Sequence, residues 1–141
     1  MGPPLIVADT NLIVYLLVRG QDTPETELAH ALDPRWVAPD LWKSEFRNAL
    51  ILYVRNGLME LDEAAIHCLH AEQLIENTPH PVDSLKVLSL AAQSGCSAYD
   101  CEFVALAQDL GVPLVTSDRR LAARFKPTAI HLRDFVRARR P

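Results

Sequence analysis

No apolar run in this chain approaches the roughly 18 residues that a membrane span requires. The opening Met1-Gly2-Pro3-Pro4 has neither the basic residues nor the long apolar core of a secretory leader. A cytoplasmic protein without a membrane partner is therefore expected. Cys68, Cys96 and Cys101 are odd in number and form no C-x-x-C pair, which points to buried free thiols rather than a disulfide framework. His67, Cys68 and His70 stand close together, but no second ligand pair follows at the spacing of a zinc finger. Internal repeats, low-complexity tracts and linkers are missing. So are a Walker loop and a G-x-S-x-G elbow, which removes P-loop and serine-hydrolase chemistry.

What remains is an ordinary globular composition. At 141 residues, 49% hydrophobic and 23% charged, the chain has the size of one domain with a genuine core. The net charge of −4 conceals an asymmetry. Residues 1–117 carry 6 Lys/Arg against 16 Asp/Glu, whereas residues 118–141 carry 8 Lys/Arg against only Asp118 and Asp134. A basic segment of this kind can hold a phosphate backbone. For Arg137 to Arg140 a solvated, partly frayed tail serves equally well.

Short apolar runs alternate with longer helical patterns, which predicts an α/β fold with a mainly parallel central sheet of four to five strands flanked by helices. Leu5–Ala8, Trp36–Ala38 and Leu114–Thr116 read as strands, with edge strands at Thr78–Val82 and Ile130–Leu132. Helices are expected over 11–18, from Thr23 (a candidate N-cap ahead of Pro24) to Leu32, 41–55, 62–76, 83–94 and 98–110, with a short one at the C-terminus. Asn56-Gly57 and Gly111 supply stop signals. Trp42, Phe46, Ala49 and Tyr53 recur at helical spacing and should face the core.

Four acids sit against this pattern. Asp9 and Asp118 each follow a strand and precede a helix, so both should lie at the carboxyl edge of the sheet, where open α/β folds bind ligands. Helix capping explains either one singly. Asp100 and Glu45 are harder to explain, because they share helix faces with Phe103, Val104 and Ala107 and with Leu41, Ala49 and Leu52. A carboxylate on an apolar face needs a partner, either a distant Arg or a cation. Clustered acids raise one another's pKa values, and a divalent ion relieves that penalty. Such an ion also activates water and stabilises charge on phosphorus, the chemistry of phosphodiester cleavage. Arg119, Arg120 and Arg124 follow the last acid and are candidates for holding a nucleic-acid phosphate backbone.

The segments Ile6-Val7-Ala8-Asp9-Thr10-Asn11, Ala38 to Glu45, Ser97 to Ala107 and Val112 to Leu121 resemble, in order and spacing, the PIN-domain family and within it the VapC-type toxin ribonucleases. The resemblance spans nearly the whole chain, as a single PIN-like domain over 1–141. It implies that Asp9, Glu45, Asp100 and Asp118 bind Mg²⁺ or Mn²⁺ and are catalytic, with Asn11 and Thr116 in support. It further implies endonucleolytic cleavage of RNA, a homodimer, and silencing by a small antitoxin whose tail enters the acidic groove. Helix segments 51–54 and 64–74 are candidates for the dimer contact. Two rivals remain. A haloacid-dehalogenase-like phosphatase wants a second acid two residues after its nucleophilic Asp, where Asn11 stands. A silent RNA- or protein-binding module gains nothing from clustered charge.

Overall fold

The computed structural model describes residues 4–76 and 79–139. Four short strands, β1 (Leu5–Ala8), β2 (Arg35–Val37), β3 (Leu114–Thr116) and β4 (Ala129–His131), form one sheet in the order β2-β1-β3-β4, with every pairing parallel. Ile6, Val7, Ala8, Leu114 and Val115 are fully buried, which is why these strands read as continuous apolar runs rather than alternating ones. Eight helices flank the sheet among the described residues: α1 (Thr10–Leu17), α2 (Thr23–Leu32), α3 (Leu41–Arg55), α4 (Leu61–Leu74), α5 (Ser84–Ser94), α6 (Ala98–Leu110), α7 (Arg119–Arg124) and α8 (Leu132–Arg139). The α/β architecture expected from the sequence is the one found.

Helix ends follow local chemistry. Asp83 and Ser97 cap α5 and α6 by accepting from the backbone N–H of Lys86 and Asp100. Gly111 adopts a φ of 66° at the end of α6, a left-handed conformation that favours glycine and turns the chain straight into β3. Trp42, Phe46 and Leu50 of α3 are buried, with Ala49 and Tyr53 half-buried against the same core. Val87, Cys101 and Ala105 make a small satellite core between α5 and α6. All three cysteines are free thiols; Cys101 is buried and the other two are partly exposed.

Several boundaries differ from the sequence reading. Helix α1 begins at Thr10 rather than Asn11, β2 starts and ends one residue early, and α4 stops at Leu74 because Ile75 turns extended and bridges Trp36 in parallel. Residues 79–82 form no strand, and Thr78 lies outside the described residues. The prolines at 79 and 81 remove donors that a ladder would need. Thr23 does not cap α2 but lies inside it, fully buried. Its hydroxyl donates to the Tyr15 carbonyl at 2.6 Å and accepts from Gly20 N–H at 2.9 Å. The C-terminal segment is no frayed tail as far as Arg139. Helix α8 packs on α2, and Arg139 reaches Asp33 at 3.0 Å while its guanidinium lies over the Phe135 ring. Arg140 lies outside the described residues.

Candidate active site

In the order β2-β1-β3-β4, chain connections run outward in both directions from β1 and β3, so the crevice above their carboxyl ends is the topological switch point of the sheet. Asp9 leaves β1 there. Although it occupies the N-cap position of α1, its side chain makes no capping bond and instead accepts from the Thr116 hydroxyl of β3 at 2.6 Å. The capping explanation for Asp9 therefore fails. Thr116 is fully buried and also accepts from Asp118 N–H at 3.0 Å, so one hydroxyl ties both strand ends together.

Glu45 projects from the first turns of α3 and accepts from the Thr10 hydroxyl at 2.7 Å. No ion pair engages it among the described residues, which disposes of the distant-Arg explanation there. Asp100 sits in the first turn of α6, half-buried. Asp118 does cap: its Oδ1 accepts from Arg120 and Leu121 N–H at 2.9 and 3.1 Å, and its side chain is exposed. Capping thus explains Asp118 and not Asp9.

Electrostatics show which acids are neighbours. Burial pushes the Asp9 carboxyl up to about 6; the Thr116 bond opposes this, and the Asp100 and Glu45 carboxylates add to it. Burial likewise raises Glu45, offset by Thr10 and reinforced by Asp100 and Glu102. Asp100 is raised by burial and then by Asp118, with Ser97 acting the other way. Asp100 is accordingly the acid that interacts with each of the other three. Among the described residues, however, no group of three or more His, Cys, Asp or Glu side chains is drawn together tightly enough to hold an ion as it stands.

Of the two residues expected to support the site, Thr116 hydrogen-bonds Asp9. Asn11 is exposed, and its side chain makes no hydrogen bond among the described residues; the preceding Thr10 makes the bond instead. Glu102, half-buried on α6, is a further acid whose charge adds to the rise at Glu45. The three arginines separate. Arg119 lines a cavity beside the crevice, Arg124 donates to the Ser94 carbonyl at 2.8 Å, and Arg120 lies over Gly95.

Fold and site together define an α/β domain with a row of carboxylates at the switch point of a short parallel sheet. The family model for the PIN domain matches residues 6–126. Ribonuclease VapC3 of Pyrobaculum aerophilum is 31% identical over 130 residues, covering 85% of this chain and 94% of the relative. The crystal structure of PAE2754 from Pyrobaculum aerophilum superposes with a TM-score of 0.75 at 22% identity, covering 96% of this chain and 94% of that one. The chain belongs to the PIN-domain family, and its sequence similarity is to a VapC-type member.

Proposed function

We propose that this chain is an endoribonuclease dependent on Mg²⁺ or Mn²⁺, acting as the toxin of a VapBC-type toxin–antitoxin pair in the cytoplasm. The observation that carries the reading is Asp9: a half-buried carboxylate at the switch point, held up to about 6 and flanked by Asp100 and Glu45 with no cationic side chain paired to it among the described residues. The donor set is all oxygen, as hard divalent cations prefer. Mg²⁺ in phosphate chemistry keeps several waters and takes one or two carboxylates plus the substrate's own oxygens, so a closed protein cage is not required. When bound, such an ion supplies charge neutralisation, an acidified water and stabilisation of the developing charge on phosphorus.

The chain's own residues do the rest. Thr116 and Thr10 orient Asp9 and Glu45 by donating to one oxygen each, leaving the other oxygen of each carboxylate available. Asp100 interacts with each of the other acids, and the Asp118 cap directs one of its oxygens into α7. The similarity to Ribonuclease VapC3 supports RNA as substrate and a small antitoxin protein as partner. Leu52, Ile66 and Leu69, 49%, 51% and 61% exposed on α3 and α4, are apolar surface suited to a homodimer contact.

The test compares native protein with Asp9→Asn and Asp100→Asn in RNA cleavage with and without EDTA. Cleavage that needs Mg²⁺ or Mn²⁺ and is lost in both variants is expected. Equal cleavage by all three proteins, or cleavage indifferent to EDTA, overturns the mechanism. Calorimetric titration with Mn²⁺ addresses the silent-module reading, which expects no binding.

A further inference from the structure

Beside the carboxylates, on the β3–β4 side of the sheet edge, lies a cavity of about 390 Å³. That is near the lower end for small-ligand pockets, room for one nucleotide and not for a duplex. Its lining includes Arg119 and Arg133, both exposed and engaged in no ion pair among the described residues. Two rings also line it, Tyr15 from α1 and His131 from β4. His131 is buried, and its Nδ1 accepts from Arg133 N–H at 3.2 Å, so the neutral ring carries its proton on Nε2. Burial, then the Arg119 guanidinium, holds its pKa below the ordinary value, and the ring stays uncharged at neutral pH. Ser117 joins this cavity to the acids: its hydroxyl lies 3.4 Å from the Tyr15 hydroxyl, and it separates Thr116 from Asp118 in sequence.

We propose that this cavity is a subsite for one unpaired nucleotide of an RNA strand, with its phosphate between Arg119 and Arg133 and its base against Tyr15 and His131. The proposal rests on the ribonuclease reading and extends it from the cut bond to the neighbouring nucleotide. The composition of the lining selects this occupant. A nucleotide joins a charged phosphate to a neutral aromatic base, matching a lining that combines two guanidiniums with two rings. An acidic peptide spreads its charge along its length and would meet Asp22 and Glu25, which also line the cavity. Unpaired bases can turn out onto aromatic side chains, whereas paired ones cannot. Arg124, bonded to the Ser94 carbonyl, and Arg120, beside Gly95, do not line this cavity.

The test measures binding of a labelled unstructured RNA oligonucleotide, and of a duplex of equal length, to Asp9→Asn protein so that no cleavage occurs. Arg133→Gln and Tyr15→Leu are added to that background, with Arg55→Gln as a distant control. Cleavage kinetics are read for the same substitutions in the native protein. Arg133→Gln should weaken single-strand binding about tenfold and lower the slope of log K against log salt by about 1, roughly one phosphate contact. It should raise KM while leaving kcat within about twofold. Tyr15→Leu should weaken binding with the salt slope unchanged, and Arg55→Gln should do neither. Equal binding by Arg133→Gln and its parent, equal binding of duplex, or Arg133-dependent capture of an acidic peptide in place of RNA overturns the subsite. Cleavage that is metal-dependent yet indifferent to Arg133 leaves the nuclease standing without the subsite. Arg133-dependent RNA binding without cleavage by native protein does the reverse.

Discussion

Burial raises the Asp9 carboxyl to about 6 from an ordinary 3.8, so between those values the folded chain holds more protons than the unfolded one. The sign follows directly. The favourable contribution of the protonated side chain is complete below about 3.8 and is lost as pH rises through about 6, leaving an ionised, partly desolvated group at neutral pH. Each pKa unit corresponds to about 1.4 kcal/mol. Asp9→Asn, which keeps an oxygen for the Thr116 hydroxyl, should therefore stabilise the metal-free protein at pH 7.5 by about 1–3 kcal/mol while abolishing cleavage. Urea unfolding of both proteins checks it, and a less stable variant would show that the hydrogen bond outweighs the desolvated charge. Thr116 acts on the same group in the opposite sense, since its bond lowers the Asp9 pKa. Thr116→Val should move the acid limb of the kcat/KM profile toward higher pH, and Thr116→Ser should restore it. A Val variant with an unmoved limb but a uniformly lower rate would assign Thr116 a purely structural part.

The elements carrying these residues differ in how far their sequences announce them. Strand β1 and helices α3 and α6 were legible because a buried parallel strand is a continuous apolar run, and because Asn56-Gly57 and Gly111 mark where helices must stop. Strands of three residues, such as β2 and β4, are too short for any period to fix their ends, and neighbouring strands decide those ends instead. The exchange of Asn11 for Thr10 has a similar cause. In the first turn of α1 adjacent side chains diverge, and which one meets Glu45 depends on where α3 crosses. Asp118 kept both of its readings because it stands at a real cap. Asn and Asp cap about equally well, while Ala forfeits about 1 kcal/mol. Asp118→Asn should thus retain the native unfolding free energy and lose cleavage, whereas Asp118→Ala should lose both. If the Asn variant cleaves at the native rate, Asp118 is a cap alone. At the opposite end, α8 is fastened by Arg139 to the fully buried Asp33. Arg139 is 42% exposed, so water screens the pair, but removing the guanidinium leaves a buried acid without its cation. Arg139→Gln should cost roughly 1–2 kcal/mol in urea unfolding, and an unchanged midpoint would show α8 to be held by Phe135 and Val136 alone.

For the whole molecule, the uneven distribution of charge acquires a geometric meaning. The acid-rich first 117 residues supply Asp9, Glu45 and Asp100, and the basic remainder folds as α7, β4 and α8, carrying Arg119 and Arg133 to the cavity beside them. The carboxyls of Asp9, Glu45 and Asp100 are held up first by burial and further by the charge of neighbouring acids, which favours the protonated form of each. A divalent cation of the proposed kind would compete with protons for these oxygens, because a ligating carboxylate must be ionised. Mg²⁺ at tenfold its dissociation constant stabilises the fold by about 1.4 kcal/mol through mass action alone. For a domain of this size that corresponds to about 3–6 °C in Tm. The increment should be full at pH 7.5 and shrink at pH 5, below the Asp9 value of about 6, where protons already occupy the site. Differential scanning calorimetry at both pH values, with Asp9→Asn alongside, measures it. An increment equal at the two pH values, or retained by the variant, would place the cation elsewhere on the acidic surface.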